Sequence, residues 1–297
     1  MRKINKAEFK ICIILVAILL MGFFFIGQGV AAEIKLSLTG LKLTREETAW
    51  LKSKESIRIG GPRAFPPFHY FDDQGHLKGI SADYIFAIMN KLGVKLEVQK
   101  NLSWPEVLDK AKSGKIDLIS CIAKTVDRQV YLNFSTQYLS FPLVILSRKD
   151  APFIGGIEDL HGKKLAVIQK NAIPVWLNRD NIKFEQYYVE SPLNKIEAIS
   201  LGKADAGIEN LAAASYLIQN HGLTNVKIAA PTPYGNYNLH MAVRKDLPEL
   251  LGILNKVIVL ITPEQHLQIR SKWLSVKYEY GISKADILNP NPPSIFF

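Results

Sequence analysis

Histidines are the side chains best suited to acid–base or metal chemistry near neutral pH, and here their spacing argues against both. The six (His69, His76, His161, His221, His240 and His266) are scattered, with no two at ligand spacing on one helical pattern. The sequence offers no Ser/His/Asp constellation and no evident acid–base pair. Its two cysteines, Cys12 and Cys121, stand too far apart for a Cys-based zinc site and are too few for a disulfide framework. Solvated or buried histidines and a small buried Cys121 account for these residues. What remains is binding rather than turnover.

Charge narrows the partners. The chain has 297 residues, 48% apolar and 22% charged, and a net charge of +10. That is a globular composition long enough for two domains. Arg2, Lys3, Lys6 and Lys10 precede an apolar run from Ile11 to Ile26, then Gly27-Gln-Gly29 and Val30-Ala-Ala32. A basic start, an apolar stretch and a small-residue site predict a secretory signal peptide over 1–32, with an uncleaved N-terminal anchor as the alternative. Cleavage would remove four basic residues and Glu8, lowering the net charge by three. The remaining excess is dispersed, with no basic block and no aromatic–basic interleaving, so nucleic acid is not expected.

The elements that must position any site alternate short β-rich runs with helix-period segments, which predicts βαβ units. Strands are expected at 57–60, 95–99, 117–120, 164–168, 184–189 and near 205, with a hairpin over 68–78. Ser81, Ser103 and Ser191 are expected to cap helices, and Gly93, Gly114 and Gly202 to end them. Gly114-Lys-Ile-Asp117 and Gly202-Lys-Ala-Asp205 are the same phrase, each after a capped helix and before an apolar strand. Two lobes of similar α/β topology explain the repetition economically, with chance helix-end chemistry as the alternative. Helices over 248–260 and 263–274 have no partner left in the second lobe. The chain therefore crosses back, giving two linking strands near 141–148 and 239–244 and a cleft between the lobes.

Phe65-Pro-Pro-Phe68, Gly79-Ile-Ser-Ala-Asp83, Trp104, Gly114-Lys-Ile-Asp117, Thr125-Val-Asp-Arg128, Phe134-Ser135, Gly202-Lys-Ala-Asp205 and Ala242-Val-Arg-Lys-Asp246 together resemble the bacterial extracellular solute-binding proteins of family 3. The resemblance spans about 55–275. Leu43–Leu51, Lys272-Trp-Leu274 and Tyr278-Glu-Tyr-Gly281 further resemble the lead-in and exit of flytrap domains in BvgS-type sensor kinases. It implies an α/β, type II periplasmic-binding (Venus flytrap) fold with a discontinuous first lobe and a two-strand hinge. The divisions expected are a lead-in at 33–54, lobe 1 at 55–146, lobe 2 at 147–236, the return to lobe 1 at 237–280 and a tail at 281–297. It implies a periplasmic monomer that binds a small molecule, without cofactor or metal. The output would come from a separate partner, an ABC permease or a membrane sensor kinase.

The same resemblance assigns roles. Arg128 would clamp a ligand carboxylate, for which a planar guanidinium offers two parallel donors. Phe65 and Trp104 would cradle the ligand from opposite sides. Cys121 and Ala123 would lie on the strand beside it, Ala123 where the family often has a hydroxyl. Asn171 and Ala172 replace the hydroxyls of the second-lobe carboxylate loop, and Asn210 replaces the aspartate that pairs with an ammonium. Glu209 is adjacent, but strand alternation predicts that it points the other way. These departures argue against an ordinary zwitterionic amino acid and toward another carboxylate or polar anion. A dehydratase-like enzyme and a partner-docking domain with a vestigial cleft are the competing readings.

Overall fold

The computed structural model describes residues 36–274, so the leader, Tyr278–Gly281 and the tail lie outside the described residues. The order is α1 (Arg45–Ser53), β1 (Ser56–Gly60), β2 (Ala64–Phe65), β3 (His69–Phe71), β4 (Leu77–Lys78), α2 (Ile80–Leu92), β5 (Lys95–Val98), α3 (Trp104–Lys112), β6 (Leu118–Ala123), α4 (Val126–Gln129), β7 (Leu132–Phe134) and β8 (Leu139–Arg148). A second series follows: β9 (Lys164–Ile168), α5 (Ala172–Arg179), β10 (Glu185–Val189), α6 (Pro192–Ser200), β11 (Ala206–Asn210), α7 (Leu211–Asn220), β12 (Val226–Arg244), α8 (Pro248–Leu260) and α9 (Pro263–Ser271). Among the described residues no helix is long and apolar enough to cross a membrane.

One hydrogen-bonded sheet runs β10-β9-β11-β8-β12-β6-β1-β5, with β7 also on β12. The strands β1, β5 and β6 pair in parallel in the first lobe, as do β9, β10 and β11 in the second. Every residue of β6 is buried, as expected where helices cover both faces of a parallel sheet. The long strands β8 and β12 join the lobes. The strand β12 pairs with β8 from Val226 to Leu239, then with β6 and β7 up to Arg244. The hinge is thus longer than the sequence indicates, because β12 begins well before Leu239.

The repeated phrase has one geometry in both lobes. The Asp117 carboxylate accepts the Arg58 backbone N–H (3.0 Å), and Asp205 accepts that of Lys164 (2.8 Å). Each aspartate thereby pins the strand entered from a glycine turn (φ +74° at Gly114, +70° at Gly202) to the first strand of its lobe. Arg244 donates to the Gly114 carbonyl (2.9 Å), and Arg148 packs over Gly202. Both arginines sit in an Arg-Lys-Asp phrase and pair with its aspartate.

Ser103 and Ser191 cap α3 and α6, each followed by a proline in the first turn. Ser81 does not cap α2. The cap is Gly79 at φ 117°, where a Cβ would run into the Phe68 carbonyl. The first helical N–H groups are satisfied instead by the carbonyls of Pro67 (2.8 Å) and Phe68 (2.9 Å). That close approach buries Ser81, whose hydroxyl meets Ser120 (3.2 Å). The lead-in helix α1 docks on α8 through the buried Glu47, which pairs with Lys256 at 2.6 Å. The exit docks on α2, where Asp83 accepts from Trp273 Nε1 (2.7 Å) and Lys272 (2.9 Å).

Candidate functional site

Where the lobes meet, the ends of β2, β6, β9 and β11 and the starts of α3, α5 and α6 surround a cavity, with β8 and β12 as its back wall. Its volume is about 60 Å³, room for a few waters or one compact molecule. Phe65, Trp104, Cys121 and Ala123 line it from the first lobe, and Ile168, Asn171, Lys195 and Glu209 from the second. Tyr237 lines it from the hinge. A row of tilted rings, Phe65–Phe68 at 4.9 Å and Phe68–Phe141 at 5.3 Å, props the aromatic wall against β8.

Arg128 sits directly behind that wall and is 5% exposed. Thr125 caps the short α4 and receives the Arg128 backbone N–H, which turns the side chain inward. The guanidinium donates to the Ala123 carbonyl at 2.7 Å and, across the cleft, to the Lys170 carbonyl at 2.9 Å. It also stacks on Trp104, 5.2 Å from the ring centre. Trp104 Nε1 donates to the same Lys170 oxygen (3.3 Å), while the Lys170 ammonium pairs with Asp109 at 2.8 Å. Burial pulls the Arg128 pKa below its ordinary value, and among the described residues no carboxylate pairs with it.

The floor carries a second buried charge. Lys195 donates to Glu209 at 2.9 Å and to the Ile208 carbonyl at 2.8 Å, and both charged side chains are more than nine-tenths buried. The other Glu209 oxygen accepts the Asn210 N–H (3.0 Å). At the mouth Arg63 pairs with Glu190 across the lobes. Tyr237 is held edge-on by Trp176 (6.0 Å), and burial raises its hydroxyl pKa while it feels the charges of Arg128 and Glu209. Burial pushes the Cys121 thiol up to about 12, so it is not a thiolate. Among the described residues no three His, Cys, Asp or Glu are grouped to hold a metal.

Of the residues singled out in the sequence, Phe65, Trp104, Cys121, Ala123 and Asn171 are brought together around the cavity, with Arg128 behind them. Ala172 and Asn210 are not among the lining residues. Ala172 is buried in the first turn of α5, where Asn171 is the cap. Asn210 caps α7, accepting from Ala213 N at 2.8 Å. Glu209 therefore faces the cavity and Asn210 turns into α7 as its cap: the two neighbours point opposite ways, as alternation requires, but with the faces exchanged from those expected. Lys195 and Tyr237 have no counterpart among the residues singled out in the sequence, and Glu209 was expected to point away. Lys195 had a signal: with Pro192, Ile196 and Ile199 it falls on the buried face of α6.

A sheet-built pair of lobes sharing two long strands, with an aromatic-lined cavity between them and a buried arginine behind its wall, defines a two-lobe ligand-binding protein. The model of the bacterial extracellular solute-binding proteins, family 3, matches residues 57–276, and the chain belongs to that family. It is 23% identical over 245 residues to the virulence sensor protein BvgS of Bordetella pertussis, covering 82% of this chain and 20% of that protein. The chain thus spans about a fifth of the length of that sensor. It is 25% identical to the L-cystine-binding protein TcyA of Bacillus subtilis over 229 residues, 76% of this chain and 83% of the relative. The crystal structure of the B. pertussis BvgS periplasmic domain superposes with a TM-score of 0.72 at 24% identity, over 78% of this chain and 45% of that one.

Proposed function

We propose that this protein is an exported, non-catalytic receptor that closes its two lobes around a compact carboxylate-bearing solute, for ABC-type uptake or for sensing. The observation that carries the reading is Arg128, a buried cation without a carboxylate partner among the described residues, standing behind the wall of the cavity. An arginine has five N–H donors, and the two protein carbonyls leave others for a ligand anion. Phe65, Trp104 and Tyr237 would hold the solute's apolar body, and Asn171 its lobe 2 edge. The family and the two kinds of relative, a sensor and a solute carrier, support both outputs. The output partner would be a permease or a membrane kinase, and the leader would deliver the protein to the periplasm.

A thermal-shift screen of the purified protein against small carboxylates tests this. A ligand at 100 times its Kd stabilises by about 2.7 kcal/mol, and the shift should vanish in Arg128→Ala. A second reading, a partner-docking domain, draws on the Lys170 carbonyl, which already ties Arg128 across the cleft. It predicts no shift with any acid and no ligand-related change in Arg128→Ala.

A further inference from the structure

The Lys195–Glu209 pair lies on the cavity floor, and the proposed function does not use it. An ammonium has three donors; Lys195 spends two, on Glu209 and the Ile208 carbonyl, and its side chain lines the cavity. Each acceptor that a ligand ammonium could reach already has a protein donor. The Ala123 carbonyl accepts from Arg128 and that of Ile208 from Lys195. The Asn210 oxygen accepts from the α7 backbone. Glu209 accepts from Lys195 on one oxygen and from its neighbour's N–H on the other. A ligand ammonium reaching Glu209 would also meet the Lys195 charge in a desolvated site, where like charges repel strongly.

Charge counting points the same way. Lys195 cancels Glu209 and Arg63 cancels Glu190, which leaves Arg128, just behind the cavity wall, as the unbalanced charge beside it among the described residues. One carboxylate neutralises it. The unspent Lys195 donor then asks for an uncharged oxygen, as does the Tyr237 hydroxyl, which makes no hydrogen bond within the described residues.

We infer that the Lys195–Glu209 pair makes this cavity selective for compact monocarboxylates bearing a hydroxyl or carbonyl oxygen where an amino acid bears its ammonium. The inference rests on the carboxylate-receptor reading and adds the ligand class. Lys195 fills the ammonium's place from within the protein.

Calorimetric titration of the purified protein with matched triads tests it: lactate, pyruvate and alanine, then phenyllactate, phenylpyruvate and phenylalanine. The hydroxy or oxo acid of at least one triad should bind about tenfold or more tighter than its amino acid, since a ligand ammonium is penalised beside the buried Lys195 charge. Lys195→Met frees Glu209, so the preference should shift toward the amino acid. Lys195→Met/Glu209→Gln, which removes both members of the pair together, should bind neither well. Amino acids binding as tightly as their partners would overturn the inference and leave the receptor reading intact, as would an unchanged preference in folded Lys195→Met. No binding by any acid would remove both. If Lys195→Met fails to fold, the wild-type ratio within each triad decides.

Discussion

Three buried side chains, Arg128, Lys195 and His69, are accommodated in different physical ways. Arg128 stacks on an indole, Lys195 pairs with Glu209, and His69 stays neutral. His69 is fully buried, with Nδ1 on the Ser120 hydroxyl (2.9 Å) and Nε2 without a partner, and burial pulls its pKa down to about 3. The unfolded chain, titrating near 6.5, takes up a proton that the folded chain refuses. Stability from this group is whole above pH 6.5 and falls by about 1.4 kcal/mol per pH unit as pH drops toward 3. Urea unfolding at pH 7 and pH 5 should show that loss in the wild type and a shallower one in His69→Gln. Parallel losses in the two proteins would refute it. Nothing in the sequence around His69 announced this burial, because the ring is trapped by contacts from Gly61 and β6 that no local pattern encodes.

At the scale of elements, local chemistry was largely legible. Ser103 and Ser191 cap the expected helices, and the Gly-Lys-x-Asp turns do one job in both lobes. Ser191→Ala should cost about 1 kcal/mol, read as a lower urea midpoint at unchanged slope; no change would mean that Asn194 finds another partner. The start of α2 was not legible, since the Pro67 and Phe68 carbonyls replace a side-chain cap there. Gly79→Ala should therefore destabilise by more than a cap does, about 2 kcal/mol or more, because the new Cβ meets backbone at a positive φ. A loss under 1 kcal/mol in the same urea assay would show that the turn can relax. The two faces of β11 were exchanged for a related reason: Asn210 is taken up as the cap of α7, and alternation then leaves Glu209 on the cavity side.

Across the whole molecule, β8 and β12 couple the lobes, and side chains meet over the cleft in two kinds of contact. Arg128 to Lys170 is largely buried, whereas Lys170–Asp109 and Arg63–Glu190 are solvent-exposed pairs. Exposed pairs contribute about 0–1 kcal/mol each, so Asp109→Asn/Glu190→Gln should leave the radius of gyration in X-ray scattering unchanged. Clear expansion would make these pairs the main closure device. The two-lobe plan was readable from a repeated phrase and the unpartnered C-terminal helices. The cavity's charge balance was not, because Lys195 and Glu209 meet only after α6 and β11 pack.

In the proposed receptor, Arg128 anchors a ligand carboxylate in the inter-lobe cavity. Calorimetric titration of wild type and Arg128→Lys with the carboxylates that shift the melting temperature tests it most directly. One site per chain is expected in the wild type, with about tenfold or more weaker binding in Arg128→Lys, which keeps the charge but loses the planar fork. Equal affinities in the two proteins, both folded, would contradict it.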